Sequence, residues 1–587
     1  MLSHDPLENV LYIDLSRKTS RVERRPELFD AYLGGAGAAI HLLEENCPAG
    51  IDPYDPANPV VFAVGPLTGV LPLASKTVAM FKSPLTGNLG ESHAGGRSAV
   101  AIRTAGYGAI VITGASDIPI YLSIHEGRVR FRDARSIWGL SSMTAGRIIR
   151  ENEPGAGMRT IMRIGTAGEA LVPYANVTIE TYRHFGRLGL GAVLGSKRVK
   201  GIVVAGHRAL PVADARAYRR VYDQVYDAAV SSPVMKKYYE LGTPANVLPL
   251  DEIGALPTRN LQAARFEGAR ELSGEALADN YLGRRLACAH CPVACIHIAA
   301  VREPYEQAAY FYKTTMIGYD YETIYALGTM LGIDSAKAFL RLIAEVDNLG
   351  MDAMSAGVAL AWATEAMERG MVGPAETDGI ALRWGDAPAY RAAAKRLVSQ
   401  PTPFYQALAQ GVEHASSVYG GQEYALAFGR NEMPGYHTGP AGHIGFLIGA
   451  RHSHLDNAGY ALDQKAPSQG SLTPEKLVDA LIEEEAWRQI LSSTVVCFFA
   501  RGIYTPELTQ EALTLMQMGR TPQELQALGE EIWAAKYRFK LREGFDPQKI
   551  RIPGRIYETP SALGAIEPAY VEAALASAWE RVAAIET

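Results

Sequence analysis

The chain has 587 residues, 48% apolar and 20% charged; at about 150 residues per domain this is roughly four domains or three large ones, and the composition excludes a disordered or solvating polypeptide. With 57 Lys and Arg against 63 Asp and Glu, a formal charge of −6, there is no basic field to draw the protein to nucleic acid or anionic lipid, so small molecules or proteins are the expected partners. Five cysteines are too few for a disulfide framework, yet Cys288, Cys291 and Cys295 crowd into eight positions while Cys47 and Cys497 stand apart.

The first residues, MLSHDPLENVLYIDL, lack the cationic and then apolar pattern of a signal peptide. No uncharged apolar run reaches the ~18–20 residues of a membrane span. A cytoplasmic protein is the expectation, and in that compartment reduced thiols make the cysteine trio a metal-ligand candidate.

In chain order, β-branched runs at Val10–Ile13, Pro59–Val64 and Ala109–Thr113 predict strands separated by glycine-rich turns. Ile120–Phe131 alternates around Glu126-Gly127 as a hairpin would, and Gly201–Gly206 predicts a last strand. Beyond ~210 helical periods take over. Asp334 is the expected cap of a helix that keeps Phe339, Leu340, Leu342, Ile343 and Val346 on one face and ends at Gly350. Thr473-Pro474-Glu475 and Thr505-Pro506-Glu507 place a hydroxyl cap before a first-turn proline, and Thr521 with Glu524 makes a capping box. The shift near Pro211 and the loop Gln400–Pro403 divide the chain into a β-rich domain over 1–208 and two mostly α-helical domains over 209–415 and 416–587. The fold class is α+β.

Cys288-Ala-His-Cys291-Pro-Val-Ala-Cys295 lets one turn of chain put three thiolates around a compact centre that needs a fourth ligand. Cys497 would complete a [4Fe–4S] cluster; His290 or His297 would instead complete a zinc knot. Cys47, in LLEENCPAG, reads as unengaged. Three glycine-rich loops carry weaker signals. Gly34-Gly35-Ala36-Gly37, after a possible strand, has Ile40 where a dinucleotide fingerprint needs a third glycine. Gly186–Lys197 could cradle an anion but lacks the P-loop Gly-Lys-Ser/Thr, and Glu91–Arg97 carries Gly95 and Gly96. Together they suggest a large phosphate-bearing or pterin-like ligand.

Taken together these motifs resemble the tungsten-containing aldehyde:ferredoxin oxidoreductases, over essentially the whole chain and in that family's order. The matching segments are the GGAG at 34–37, Ser75-Lys76, Lys82–Gly87, Ala94–Gly96, Ala105–Ile110, Gly186–Lys197, the cysteine trio, Tyr321-Glu322-Thr323, Asp347–Asp352, a histidine segment at 434–457 and Cys497. The resemblance implies an N-terminal base for two pyranopterin dithiolenes chelating one tungsten or molybdenum, with a [4Fe–4S] cluster on Cys288, Cys291, Cys295 and Cys497. Asp347 and Asp352 would touch a pterin. Arg183 and the stretch with Gly186, Arg187, Gly189 and Gly191 would line the pterins and their phosphates, with Gly95 and Gly96 nearby. Lys76 would lie between pterin and cluster, and His93 at the position of a ligand to a Mg²⁺ that bridges the phosphates. Glu322 is implied as the catalytic base with Tyr321 beside it, His454 as a donor to the metal-bound oxygen or substrate carbonyl, and His437 as a further candidate.

The implied reaction oxidises aldehydes to acids. It releases two electrons, and a two-electron metal beside a one-electron cluster matches them to ferredoxin or a ferredoxin-like subunit. Several positions depart from the family pattern: Lys76 replaces an arginine, His93 an asparagine, His437-Thr438-Gly439 an aspartate-proline-arginine, and Ser492–Cys497 a DxxGxC loop. The Glu-x-x-His of an intersubunit iron site is missing after Glu322, although a homodimer stays open. Two other readings are a low-potential reductase of the class II benzoyl-coenzyme A reductase type and a zinc-stabilised interaction protein without enzymatic activity.

Overall fold

In the computed structural model, which describes residues 2, 5–153, 158–305 and 308–585, the expected β-branched runs are strands. They are β1 (Asn9–Asp14), β3 (Val60–Ala63), β6 (Ala109–Thr113), the hairpin β7 (Ile120–His125) and β8 (Arg128–Asp133), and β12 (Val199–Ala205). Glu126 and Gly127 both take positive φ, the two-residue turn that matches strand twist. The composition did not announce β2 (Thr19–Arg24), β4 (Thr77–Lys82), β5 (Leu89–Ala94), β9 (Arg159–Arg163), β10 (Val177–Ile179) or β11 (Arg183–Phe185).

Among the described residues these strands build two six-stranded sheets, ordered β2-β1-β6-β3-β4-β5 and β11-β10-β9-β12-β7-β8. β1 runs parallel to β6 and β12 parallel to β7; the other pairings are antiparallel. β5 and β11 are each the last strand of their sheet, and the cavity described below opens beside them.

From Ala215 onward helices dominate, so the α+β order of a β-rich base followed by helical parts is observed. The helical part also holds a three-stranded antiparallel sheet, β13 (Leu282–Leu286), β14 (Ile296–Tyr305) and β15 (Ala308–Tyr319). The helix Ala336–Leu349 ends at Gly350 in the left-handed conformation, but its cap is Ser335, whose hydroxyl accepts from Ala338 N; Asp334 stands one residue too early to reach that amide. The caps at Thr473, Thr505 and Thr521 form as their sequence signatures predict.

Gly34-Gly35 follows the helix Pro26–Tyr32 and not a strand. A Cβ on Gly35 would sit 2.1 Å from the Ser492 carbonyl oxygen, and Gly37 N donates to Ser493 Oγ at 3.0 Å. These glycines serve close packing against the segment that leads to Cys497.

Late helices close onto the N-terminal base. Leu525, Ile532 and Phe539 of the helix Pro522–Arg542 pack into the same apolar cluster as β1, β3 and β4. Two buried ion pairs span the join, Lys536 Nζ to Glu91 Oε2 and Lys82 Nζ to Glu543 Oε2, both at 2.5 Å. Among the described residues no helix is long and apolar enough to cross a membrane.

Candidate active site and thiol centre

A cavity of about 860 Å³ lies between the two sheets and the helical parts. Its wall holds Lys76, His93, Gly95, Arg183, Gly186 and Arg187 from the base, Tyr321, Glu322, Asp347 and Asp352 from the middle of the chain, and His454 from the last part. Cys295 is also on the wall. A volume of this size matches a large organic cofactor together with a small substrate.

Glu322 is placed by its helix. Asp320 caps the helix Tyr321–Leu327 with a capping box to Thr323, and Tyr321 N donates to Thr243 Oγ1. The Tyr321 hydroxyl donates to the Gly435 carbonyl, and Gly435 N donates to Glu322 Oε2 at 3.4 Å. Gly435 is glycine because a Cβ there would meet the Tyr325 ring at 2.6 Å. The other Glu322 oxygen lies 3.2 Å from His454 Nε2. His454 opens the one-turn helix His454–Asn457, held by a capping box between Ser453 and Asp456. Its ring lies 5.0 Å from that of Tyr436, which stacks on Tyr460 at 4.5 Å.

Burial, and after it the charge of Asp320, pushes the Glu322 carboxyl up to about 8. The same two causes push Asp347 up to about 7. Burial, then Arg187, Arg488 and Arg451, holds His454 well below the usual imidazole range, so it is neutral. A carboxyl poised near neutrality beside a neutral imidazole can take up and release a proton at a bound molecule.

The basic side of the wall has unspent donors. Arg183 Nε, Arg187 Nη1 and His454 Nδ1 are buried and have no hydrogen-bond partner among the described residues. Arg187 is otherwise fixed, with Nε 3.1 Å from Asp352 Oδ2 and Nη2 donating to the Glu432 carbonyl at 2.7 Å. Asp352 also caps the helix Ala353–Glu368 and accepts from Ser355 Oγ. Buried donors facing a cavity are what an anionic, phosphate-bearing group would satisfy.

Backbone hydrogen bonds zip four distant segments around the thiols. Ala289 N donates to the Gly96 carbonyl, Leu73 N to His290, Cys497 N to Leu73 and Lys76 N to Val495, at 2.9–3.2 Å. Leu73, His290, Ala294 and Val495 all take positive φ, a conformation that costs a non-glycine residue about 1–3 kcal/mol. A Cβ on Gly95 would lie 2.7 Å from Cys288 Sγ and 3.3 Å from Lys76 Nζ.

All four thiols lie close enough to interact electrostatically. Burial, then the other three thiols, raises Cys291 to about 12; burial raises Cys295 to about 11, opposed by Arg183 and Lys76. Yet among the described residues no three His, Cys, Asp or Glu side chains converge closely enough for a single metal ion. Four thiols brought together are the donor set that a [4Fe–4S] cluster takes. Cys47 is buried at the end of the helix Gly35–Asn46, apart from this group.

Other positions singled out from the sequence lie off the wall. Gly189, at φ 87°, starts the helix Leu190–Ser196 and packs on the Pro173 carbonyl, while Gly191 packs on that of Asn176. Gly96 faces Glu180 and holds the cysteine loop through its carbonyl. His437 is fully buried, bonded through Nδ1 to His443 at 2.8 Å and through Nε2 to the Thr559 carbonyl at 2.9 Å.

The sequence did not single out Arg451, Tyr436, Tyr460 or Glu91, all close to this site. Arg451 pairs with Asp456 at 2.6 Å and lies 4.0 Å from Glu91, whose other neighbours are His93 at 2.6 Å and Lys536. Only the arginine within Gly449–His454 gave a local hint, a cation inside a histidine cluster.

Comparison with known proteins gives consistent matches. Residues 10–206 match the family profile described as "Aldehyde ferredoxin oxidoreductase, N-terminal domain", and residues 220–581 match "Aldehyde ferredoxin oxidoreductase, domains 2 & 3". The chain is 31% identical over 575 residues to a tungsten-containing aldehyde ferredoxin oxidoreductase of Pyrococcus abyssi, covering 94% of this chain and 92% of the relative. It is 28% identical over 426 residues to an aliphatic sulfonate oxidoreductase, WOR-like subunit, of Pyrococcus furiosus, covering 69% and 66%. Among solved structures, the active site complex BamBC of benzoyl coenzyme A reductase shares the fold, with a TM-score of 0.83, 20% identity, and 98% and 94% of the two chains covered.

Proposed function

The chain belongs to the aldehyde ferredoxin oxidoreductase family, and from that premise we propose that it oxidises aldehydes to carboxylic acids, using a tungsten or molybdenum bis-pterin and a [4Fe–4S] cluster, and passes the electrons to a ferredoxin-class protein. The observation that carries this reading is the junction at Cys295, Arg183 and Lys76, where a cavity large enough for the cofactor meets four coupled thiols.

An aldehyde and water yield a carboxylic acid, two electrons and two protons. The metal dithiolene supplies, when bound, the two-electron acceptor that no side chain provides. Arg183, Arg187 and Lys76 bind its anionic parts, with Gly186 leaving open space beside them. Asp347 and Asp352 hold the pterins, Asp352 being fixed by Arg187 and its own helix. Glu322 takes the proton released as water adds to the carbonyl carbon. His454, neutral, orients the carbonyl oxygen, and Tyr321 positions Glu322 through Gly435. The aromatic rings of Tyr436 and Tyr460 exclude water from this corner. The reading places the enzyme in the cytoplasm, where thiols stay reduced.

Elemental analysis tests it. The expected result is about four irons and one tungsten or molybdenum per chain; zinc without iron would sink the proposal. Magnesium assayed on the same sample tests the cation beside His93. A panel of aldehydes with a viologen dye tests the substrate class, and reduction of an acyl-coenzyme A with no aldehyde turnover would replace this reaction by the reductase one.

A further inference from the structure

The helices Ala215–Ser231 and Pro233–Leu241 form a hairpin whose two ends both lie at the thiol centre. At one end the Tyr218 hydroxyl donates to the Val70 carbonyl. Tyr218 shares a surface hollow of about 290 Å³ with Arg208, Val212 and His290, the exposed residue between Cys288 and Cys291. At the other end Tyr238 stacks on Phe499 at 4.5 Å, close to Cys497 and Cys295.

The first helix buries Val221, Val225 and Ala229 against the core. Its outer face carries a ladder at spacings of four, Tyr218, Tyr222 and Tyr226, with ring centroids 5.8 and 6.3 Å apart, continued by Val230. Tyr226, Val230, Val234, Tyr239 and Val212 are each 41–55% exposed. Scattered exposed apolar residues need no explanation, but a contiguous patch of large ones rich in tyrosine does.

The charge around this patch runs against that of the whole chain. From Arg208 to Glu240 there are six Lys or Arg and four Asp or Glu, and the exposed Arg284 and Arg285 of β13 adjoin it, Arg285 Nε donating to the Tyr239 carbonyl. With Glu511, which pairs with Arg220 at 2.7 Å, eight cations face five anions here, in a chain of net charge −6. A locally basic surface on an acidic protein steers an acidic partner to that one place.

We infer that this hairpin face, with the Cys288–Cys291 loop at its edge, is the docking surface for a small acidic iron–sulfur protein that takes electrons from the thiol-held centre. The inference rests on the cluster reading given above. Each docking moves one electron: the enzyme's cluster is oxidised by one, the partner's is reduced by one, and no proton moves, so two dockings serve each aldehyde. Electron carriers dock transiently through small interfaces, which suits a short apolar ladder ringed by exposed cations.

The test uses the holoenzyme and two exposed-face variants, Tyr226→Glu/Val234→Glu and Arg216→Glu/Arg219→Glu. Aldehyde oxidation is followed with methyl viologen and, separately, with a small acidic [4Fe–4S] ferredoxin across a salt series. Both variants should keep viologen turnover and raise the KM for ferredoxin about tenfold or more, and the charge variant should flatten the salt dependence. Unchanged ferredoxin kinetics in a fully active enzyme would overturn the docking face alone. So would a halving of the solution mass on substitution, which would assign the patch to contact between two copies. An iron-free wild type would remove both this inference and the reading it rests on.

Discussion

Glu322 Oε1 and His454 Nε2 stand 3.2 Å apart at the inner end of the cavity, one on a helix from the middle of the chain and the other on a single turn 132 residues later. The carboxyl is raised toward neutrality and the imidazole held neutral, both first by burial. The two groups thus face each other as a protonated carboxyl and a neutral imidazole near pH 7, so the contact buries no net charge.

Replacing Glu322 with Gln should lower kcat by roughly 10²–10⁴-fold, the usual worth of a positioned base, while metal content stays at the wild-type level. In the wild type, kcat/KM should rise with pH through about 8, because the basic form appears above that value. A flat profile with retained activity would remove Glu322 as the base.

The same substitution should stabilise the protein. Between about 4.5 and about 8 the folded state holds a proton on Glu322 that the unfolded state has released, so stability falls as pH rises across that window. Glu322→Gln removes this loss. At pH 8 the variant should be the more stable by on the order of 4 kcal/mol, read as a higher melting temperature, and the gap should shrink toward pH 5.

Cys497→Ser should deplete iron and bleach the visible absorbance expected of a cluster. Gly95→Ala should do so partially, since its Cβ would stand 2.7 Å from Cys288 Sγ while the backbone around it can stay folded. Full iron content in both would contradict the proposed ligand shell.

Arg187→Ala takes from Asp352 its buried cation, leaving it only the Met354 and Ser355 donors, and takes from the Glu432 carbonyl the guanidinium donor. Losing one side of such a buried pair costs about 3–5 kcal/mol. Arg187→Lys should recover part of the stability but less of the pterin content, because lysine lacks the fork of donors. Equal cofactor content in the two variants would show that Arg187 serves only the fold.

His437 lies off the wall, bonded to His443 and to the Thr559 carbonyl. His437→Gln should cost about 1–3 kcal/mol of stability, as expected for a broken buried hydrogen-bond pair, and leave the KM for aldehyde unchanged. A selective fall in kcat without loss of stability would return His437 to the chemistry.

Local patterns in the sequence revealed the parts of the fold that depend on neighbours a few residues away. β6 and β12 are β-branched runs, the Glu126-Gly127 hairpin is a turn signature, and the capping threonines sit before first-turn prolines. β4 and β5 escaped notice because both faces of these strands are covered, which removes the alternation that marks a half-exposed strand. The cysteine trio and Cys497 were legible as a spacing. What brings them together was not, since it consists of backbone bonds from Gly96, Leu73 and Val495. Lys536 reaches the site through Glu91, a partner 445 positions away, and no window of sequence holds such a pair.

The pairing of Glu91 with Lys536 also bears on how the protein is made. The acid lies on β5, finished early, and the cations that offset it, Arg451 and Lys536, belong to the last quarter of the chain. A growing polypeptide thus carries this carboxylate with His93 beside it but without its cations until most of the chain has been made. Until the helix Pro522–Arg542 packs onto the base, Glu91 has water in place of Lys536, so this buried charge is paired only when the last part of the chain is in place.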